Sequence, residues 1–442
     1  MEKARVSSRV QSENRAVNRS YVDSKGRPLV AVTGAGVVTS LGAGKRLNWE
    51  QLIAGQSGIR PITRFPTDGL KTTIAGTVDD LGIAPYSAFE LASTMAEVAA
   101  AEAIDQAQIG SCKSFPGPLI IATPPSEIEW PQLREIHNAG DPELSGYARL
   151  LAAAREGQFG ALAHHIRFAA IADRLMERFG TRGEPLTICT ACASGATTIQ
   201  LGVEAIRYGK ADAALCIGTD ATVHPEGLVR FSLLSALSTR NDLPQKASRP
   251  FSKSRDGFVM AEGAGALVLE SYAAAMARGA TVLAIVRGCG EKADAYHRTR
   301  SHPDGRAMIG ALRRTLADSG TEPDEIDYVN AHGTSTPEND KMECFSLAAI
   351  FGNRLPHVPI SSNKSMVGHT LIAAGSVEAV FTLQTLQTGV IPPTINYDDP
   401  DPALAIDVVP NVSRTADVRV ALSNSFGFGG QNVCVVFSRD LQ

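Results

Sequence analysis

The sequence predicts an α/β fold made of two similar halves, and three observations carry that prediction. Short apolar runs alternate with amphipathic helical patterns, which implies strands layered against helices. A strand–sharp turn–helix unit at residues 186–208 has a second copy at 358–388. In each copy a glycine, Gly195 or Gly375, opens a helix that stops at Gly209 or Gly389. Near the end of each half a glycine turn feeds an apolar strand, at 263–269 and again at 429–435.

Taken in order, residues 1–26 are polar and charged and read as a loosely held N-terminal extension. Leu29-Val30-Ala31-Val32 is a buried-strand pattern, and Thr33-Gly34-Ala35-Gly36 reads as the tight turn that ends it. Beyond residue 193, Ala196, Ile199, Val203 and Ile206 share one helical face, so that helix packs inward. Ile326-Asp327-Tyr328-Val329 is strand-like, and Val433-Cys434-Val435-Val436-Phe437 is the closing strand. The halves divide near Gly279, giving residues 27–279 and 280–442. A duplicated fold of this kind sets its site between the halves, where distant residues converge.

Composition narrows the function. A net charge of −4 on 442 residues gives no support for general nucleic-acid binding. Seven scattered cysteines fit reduced thiols. No apolar signal region follows Met1 and no uncharged run is long enough to span a membrane, so a cytoplasmic location is expected.

Three segments carry candidate chemistry. Cys192 lies in Cys189-Thr190-Ala191-Cys192-Ala193-Ser194-Gly195, where a strand turns into a helix. A thiol at a helix N-terminus faces unpaired N–H groups and the positive dipole end, so a lowered pKa and an activated nucleophile are expected. His332 follows a strand in Asn330-Ala331-His332-Gly333-Thr334-Ser335-Thr336, although alone it fits a capping histidine equally well. Lys364 and His369 precede the second repeat's helix, which holds Glu378. Lys364 and Glu378 could orient a site or form an ordinary surface pair. Two motifs are set aside. Gly34-Ala35-Gly36 lacks the third glycine and placed acid of a dinucleotide site. Cys189 and Cys192 lack the partners of a zinc site, and the strand is expected to bury Cys189, which argues against a redox pair.

Cys192, His332 and His369 together resemble the Cys-His-His triad of β-ketoacyl-acyl-carrier-protein synthases, of the elongating synthase II type. Arg255-Asp256-Gly257-Phe258, Glu262-Gly263-Ala264-Gly265, Pro392-Pro393-Thr394-Ile395-Asn396 and Asn424-Ser425-Phe426-Gly427-Phe428-Gly429-Gly430 extend the resemblance over the chain beyond its N-terminal extension. The resemblance implies a thiolase-like fold in α-β-α-β-α layers. It also implies decarboxylative Claisen condensation of an acyl group on Cys192 with a malonyl thioester. By the same resemblance Lys364 and Glu378 are a supporting pair, and Cys192 and Phe428 supply oxyanion N–H groups. Phe428 between Gly427 and Gly429 is a gate, Asp294 and His297 belong to the gate's partner loop, and Thr334 and Thr336 hold the phosphopantetheine arm. The implied partners are an acyl carrier protein and a second subunit, as a homodimer or a heterodimer. No metal and no cofactor of the enzyme's own is implied, because the carrier brings the phosphopantetheine. Alternatives are a polyketide-type ketosynthase and a non-elongating chain-length-factor-like subunit; the latter typically lacks the nucleophile.

Departures from the family pattern point to a specialised acyl chain, with a very long one among the candidates, or to a dedicated carrier. Pro124 and Pro125 stand where relatives carry glycines near the acyl pocket, and residues 128–177 run longer than usual. Residues 83–89 carry no positive charge where a basic cluster is common. Ser235 replaces a common arginine and Gln431 a usual threonine.

Overall fold

The computed structural model describes residues 21–441 apart from 84, 85, 112, 126, 127 and 158. Most of the N-terminal extension, Ala84 and Pro85 of the uncharged segment, and Ser126 and Glu127 therefore lie outside the described residues.

The first half contains β1 (Val30–Thr39), α1 (Ala88–Ala107), β2 (Leu119–Ala122), α2 (Ala170–Phe179), β3 (Leu186–Ile188), α3 (Ser194–Arg207), β4 (Ala213–Asp220), α4 (Pro225–Leu233) and β5 (Gly263–Ser271). The second contains β6 (Ala284–Ala293), α5 (Arg306–Ser319), β7 (Tyr328–Asn330), α6 (Pro337–Phe351), β8 (Pro359–Ser361), α7 (Ala374–Thr388), β9 (Val420–Phe426) and β10 (Gln431–Ser438). The sheet order is β3-β2-β4-β5-β1 in one half and β8-β7-β9-β10-β6 in the other, where a short strand, Asp407–Val408, pairs in parallel outside β8. The senses repeat as well: the two strands farthest from the join pair in parallel, and the last two pairings before it are antiparallel. A short antiparallel contact, Val30–Val32 against Ala284–Val286, joins the halves. The duplication read from the sequence is thus a duplication of topology.

Packing follows from which face each strand buries. Ile199 and Val203 of α3 and Val377, Val380 and Leu383 of α7 share one core with Val32, Leu267, Val433 and Val435. The opposite face of the first half packs on α1 and α2, and that of the second half on α5 and α6. The layers are therefore α-β-α-β-α, with α3 and α7 in the middle. The two middle helices cross at their repeat-related glycines. A Cβ on Gly195 would lie 2.4 Å from the Ser376 nitrogen, and one on Gly375 would lie 2.4 Å from the Ala196 nitrogen.

Three expectations change. Thr33-Gly34-Ala35-Gly36 is not a turn, because β1 runs through it to Thr39. Glycine is required there because α1 rests on the strand: a Cβ at Gly34 would meet the Ala103 carbonyl oxygen at 1.9 Å. Cys189 is exposed rather than buried, because β3 is the end strand of the sheet. The end of the polar extension is held down. Tyr21 packs on Tyr272, Lys25 Nζ donates to the Ala317 carbonyl at 2.6 Å, and Arg27 pairs with Asp23 and Asp318.

Candidate active site

Cys192 sits on the turn between β3 and α3, 8 % exposed. Ala191 before it adopts a left-handed φ of 49°. Ser194 locks the turn, with Oγ accepting from the Thr190 N–H at 2.7 Å and donating to the Ala191 carbonyl at 2.6 Å. The sulfur faces its own N–H and that of Phe428.

His332 follows β7 directly and is buried. Its N–H and that of Gly333 both donate to Glu343 of α6, each at 2.8 Å, and Asn424 Nδ2 donates to the same carboxylate at 3.1 Å. Lys364 Nζ donates to the His332 carbonyl at 2.7 Å and lies 3.3 Å from His332 Nδ1. His369 is tied by its main chain to Val259 and Ala261, and its Nδ1 accepts the Leu371 N–H at 3.2 Å. With Nδ1 accepting in each ring, the proton sits on Nε2, and both imidazoles present an N–H donor. The rings meet edge to face, 5.3 Å apart at 85°. Burial holds both histidines well below their usual pKa, and the Lys364 charge pushes the same way. They are neutral donors near pH 7.

Lys364 and Glu378 form an ion pair that is almost wholly buried, so the surface-pair alternative is excluded. Burial pushes the Glu378 carboxyl up to about 7 against the pull of Lys364.

One expectation for Cys192 is reversed. Burial pushes the thiol up to about 11, and the Phe428 N–H and Lys364 recover only part of the shift. Removing the sulfur from water costs the thiolate more than these groups return.

Cys192, His332 and His369 line one cavity of about 280 Å³, with Thr334, Thr336, Phe428, Gly427, Gly429, Asp294 and His297 in its walls. Lys364 and Glu378 stand behind His332. Thr334 and Thr336 join their hydroxyls at 2.9 Å, and Thr336 caps α6. The Phe428 turn is anchored on both sides: Gly427 donates to the Gln431 carbonyl, and Gly429 to the Arg298 carbonyl at 2.7 Å. Asp294 donates its N–H to the Gly430 carbonyl at 2.7 Å, which fastens that loop to the turn. Ser235 also lines the cavity.

Sequence reasoning missed Glu343, Asn424, Asp220 and Phe258 as site residues. Phe258 stacks edge to face on His369 at 5.2 Å. Glu343 is fully buried in α6. Asp340, Glu343 and Ser346 of α6 are buried alongside Met342 and Leu347, so the helix carries no clean apolar stripe and no sequence signal marked Glu343.

The arrangement is a buried thiol with two backbone donors at its sulfur and two neutral imidazole donors in one cavity. The family model described as "Beta-ketoacyl synthase, N-terminal domain" matches residues 28–112 and 143–275, and "Beta-ketoacyl synthase, C-terminal domain" matches 283–398. The chain belongs to the β-ketoacyl synthase family. It is 37 % identical over 420 residues to the 3-oxoacyl-[acyl-carrier-protein] synthase 2 of Synechocystis sp., covering 93 % of this chain and 98 % of the relative. It is 35 % identical over 430 residues to the tetracenomycin polyketide synthase ketoacyl synthase alpha subunit of Streptomyces glaucescens, covering 93 % and 97 %. Among solved structures, a type II PKS acyl-carrier protein in complex with its ketosynthase bound to the hexaketide contains a similar chain. Its TM-score is 0.81 at 30 % identity, covering 94 % of this chain and all of that one. As a β-ketoacyl synthase the chain is an acyltransferase with the thiolase-like fold. Among the described residues no helix is long and apolar enough to cross a membrane.

Proposed function

We propose that this synthase elongates an acyl chain by decarboxylative Claisen condensation, with Cys192 as the nucleophile. The observation that carries the reading is the shared cavity of Cys192, His332 and His369, in which both imidazoles are neutral N–H donors. Cys192 attacks the thioester of an acyl carrier protein, and the acyl oxyanion sits at the N–H groups of Cys192 and Phe428. The carrier thiol leaves with the proton of Cys192. A malonyl thioester then enters and loses carbon dioxide, and its enolate oxygen accepts from His332 and His369. The carbanion attacks the acyl carbonyl, Cys192 is released, and the β-ketoacyl product stays on the carrier. Lys364 and Glu378 are positioning residues that hold His332. Thr334 and Thr336 line the arm's path, and Phe428 gates it with the Asp294–His297 loop.

Support for an acyl-carrier partner comes from the relatives' names and the carrier-bound ketosynthase. The open edge of β3, with Leu186 46 % exposed, supports pairing with a second subunit. The position of Gly279 on the link into β6 supports a domain division there. A polyketide-type role has specific support in the tetracenomycin relative. A chain-length-factor-like role is disfavoured because Cys192 is retained. The departures at Pro124, Pro125, Ser235 and Gln431 support a specialised acyl chain or carrier. Two variants test the chemistry. Cys192→Ala abolishes acyl transfer, and an unaffected rate overturns the nucleophile assignment. Cys192→Gln loses condensation and retains malonyl decarboxylation.

A further inference from the structure

The cavity of Cys192 has a buried floor and an exposed rim. Cys192, His332, His369 and Phe258 are buried, whereas Arg300, His297 and Leu234 line the same cavity and are exposed. A substrate tethered to a carrier enters across that rim, so the carrier itself rests on the surface around it.

Charge on one side of the rim is lopsided. Residues 291–314 carry six cations, Lys292, Arg298, Arg300, Arg306, Arg313 and Arg314, against the three carboxylates of Glu291, Asp294 and Asp304. The segment is net +3 in a chain of net −4. Two of its carboxylates are engaged. Asp304 pairs with Arg306, and Asp294 accepts the N–H groups of Tyr296 at 3.0 Å and His302 at 2.8 Å. Arg298, Arg300 and Arg313 are exposed and have no ion-pair partner among the described residues.

The fold gathers these cations at the mouth. Ala293 at the end of β6 pairs with Gln431, close to the Phe428 turn. From that end α5 runs back along β6. A Cβ on Gly310 would meet Lys292 Cδ at 2.4 Å, and one on Gly290 would meet the Thr315 nitrogen at 2.4 Å. Arg306 and Arg313 lie two turns apart on one face, so the patch extends about 10 Å down α5. The Arg298 carbonyl accepts the Gly429 N–H at 2.7 Å, which fastens the patch to the gate. Elsewhere the rim is apolar or mixed. Leu233, which ends α4, is 80 % exposed beside Leu234. Glu338 and Asp256 also line the cavity, and Asp256 lies 3.6 Å from Arg240.

We infer that an acyl carrier protein with an acidic face docks on this patch. Its carboxylates meet the cations of residues 292–314, the phosphodiester of its arm lies by Arg300, and an apolar side chain covers Leu233. The inference rests on the condensation reading above and names the docking surface. Residues 83–89 hold no cation, so charge-led docking falls to the loop beside the gate. Guanidinium groups suit carboxylates and phosphodiesters alike. Unpaired charges at a rim govern encounter and its salt dependence.

The test follows acylation of Cys192 by intact mass in the full-length protein. One acyl group is offered on a panel of acidic, phosphopantetheinylated acyl carrier proteins and, separately, on free pantetheine. The readout is the ratio of second-order rate constants, carrier over pantetheine, which is insensitive to how much of a variant is folded. The ratio should fall about tenfold as salt rises from about 0.05 to about 0.5 M. Arg298→Glu with Arg313→Glu should lower it about tenfold at low salt and flatten its salt dependence. Arg298→Lys with Arg313→Lys should retain it. A ratio unmoved by charge reversal, or refusal of every carrier while pantetheine reacts, overturns the inference and leaves the condensation reading standing. Binding to anionic phosphatidylglycerol vesicles that charge reversal abolishes, with the ratio unmoved, assigns the patch to a membrane surface instead. Acylation of the unaltered protein by neither donor overturns both.

Discussion

The crossing of α3 and α7 gives the most quantitative prediction, through Gly195→Ala. The new Cβ would lie 2.4 Å from the Ser376 nitrogen, 2.8 Å from Ser376 Oγ and 3.1 Å from the Gly375 carbonyl carbon. The first of these is about 1 Å inside ordinary van der Waals contact, and backbone cannot rotate away from it. Alanine gains up to about 1 kcal/mol of helix propensity over glycine. Overpacking in a close-packed centre costs about 1–3 kcal/mol. With the full propensity gain, the net is a loss of up to about 2 kcal/mol in unfolding free energy. The functional effect is larger. Cys192 lies on the turn that opens α3, so a shift of this size moves its sulfur against the Phe428 N–H. A misplacement of about 1 Å lowers a positioned reaction by roughly 100-fold. Urea unfolding and single-turnover acylation of Cys192 read the two effects separately. Gly160→Ala, whose Cβ meets open space, is the control and stays within about 0.5 kcal/mol. A Gly195→Ala protein with unchanged midpoint and acylation would refute the account of how the turn is held.

The other predictions concern charge. Lys364→Met strands Glu378 in the interior and destabilises the fold by about 3–5 kcal/mol where that carboxylate is ionised. Glu378 is raised from 4.5 to about 7, so its contribution to stability is fully present below 4.5 and is lost as pH rises through 7. Without Lys364 its pKa rises further, and the variant's deficit in denaturant midpoint should shrink in acid and grow in alkali. Alkylation of Cys192 by iodoacetamide should climb about tenfold per pH unit towards about 11; a plateau near neutrality would contradict the buried-thiol account. His332→Ala and His369→Ala should each slow malonyl decarboxylation by about 100- to 1,000-fold. Rapid-quench assays should show acylation of Cys192 much less affected.

The parts of the fold legible in sequence were those with a local signature. Gly195 and Gly375, with the helices they open, showed the repeat, and the repeat set the topology. Cys192 and His332 were visible because each closely follows a strand, and His369 because it precedes the second repeat's helix. What stayed hidden depends on neighbours distant in the chain. Gly34 and Gly36 look like a turn until α1 is laid across them. Cys189 looks buried until β3 proves to be an end strand. The Cys192 thiol looks acidic from its helix, yet burial among groups brought from the second half outweighs the N-terminal donors. Glu343 supports His332 from α6, a relation that no spacing near the histidine records.

The central claim is that Cys192 carries the acyl chain through the condensation. Intact-mass measurement with peptide mapping, after incubation with a set of acyl carrier proteins, tests it directly. The account predicts one acyl adduct, on Cys192, which disappears when malonyl carrier is added as a β-ketoacyl carrier product accumulates. Product formation with Cys192 unmodified, or an adduct on another residue that chases into product, would contradict it.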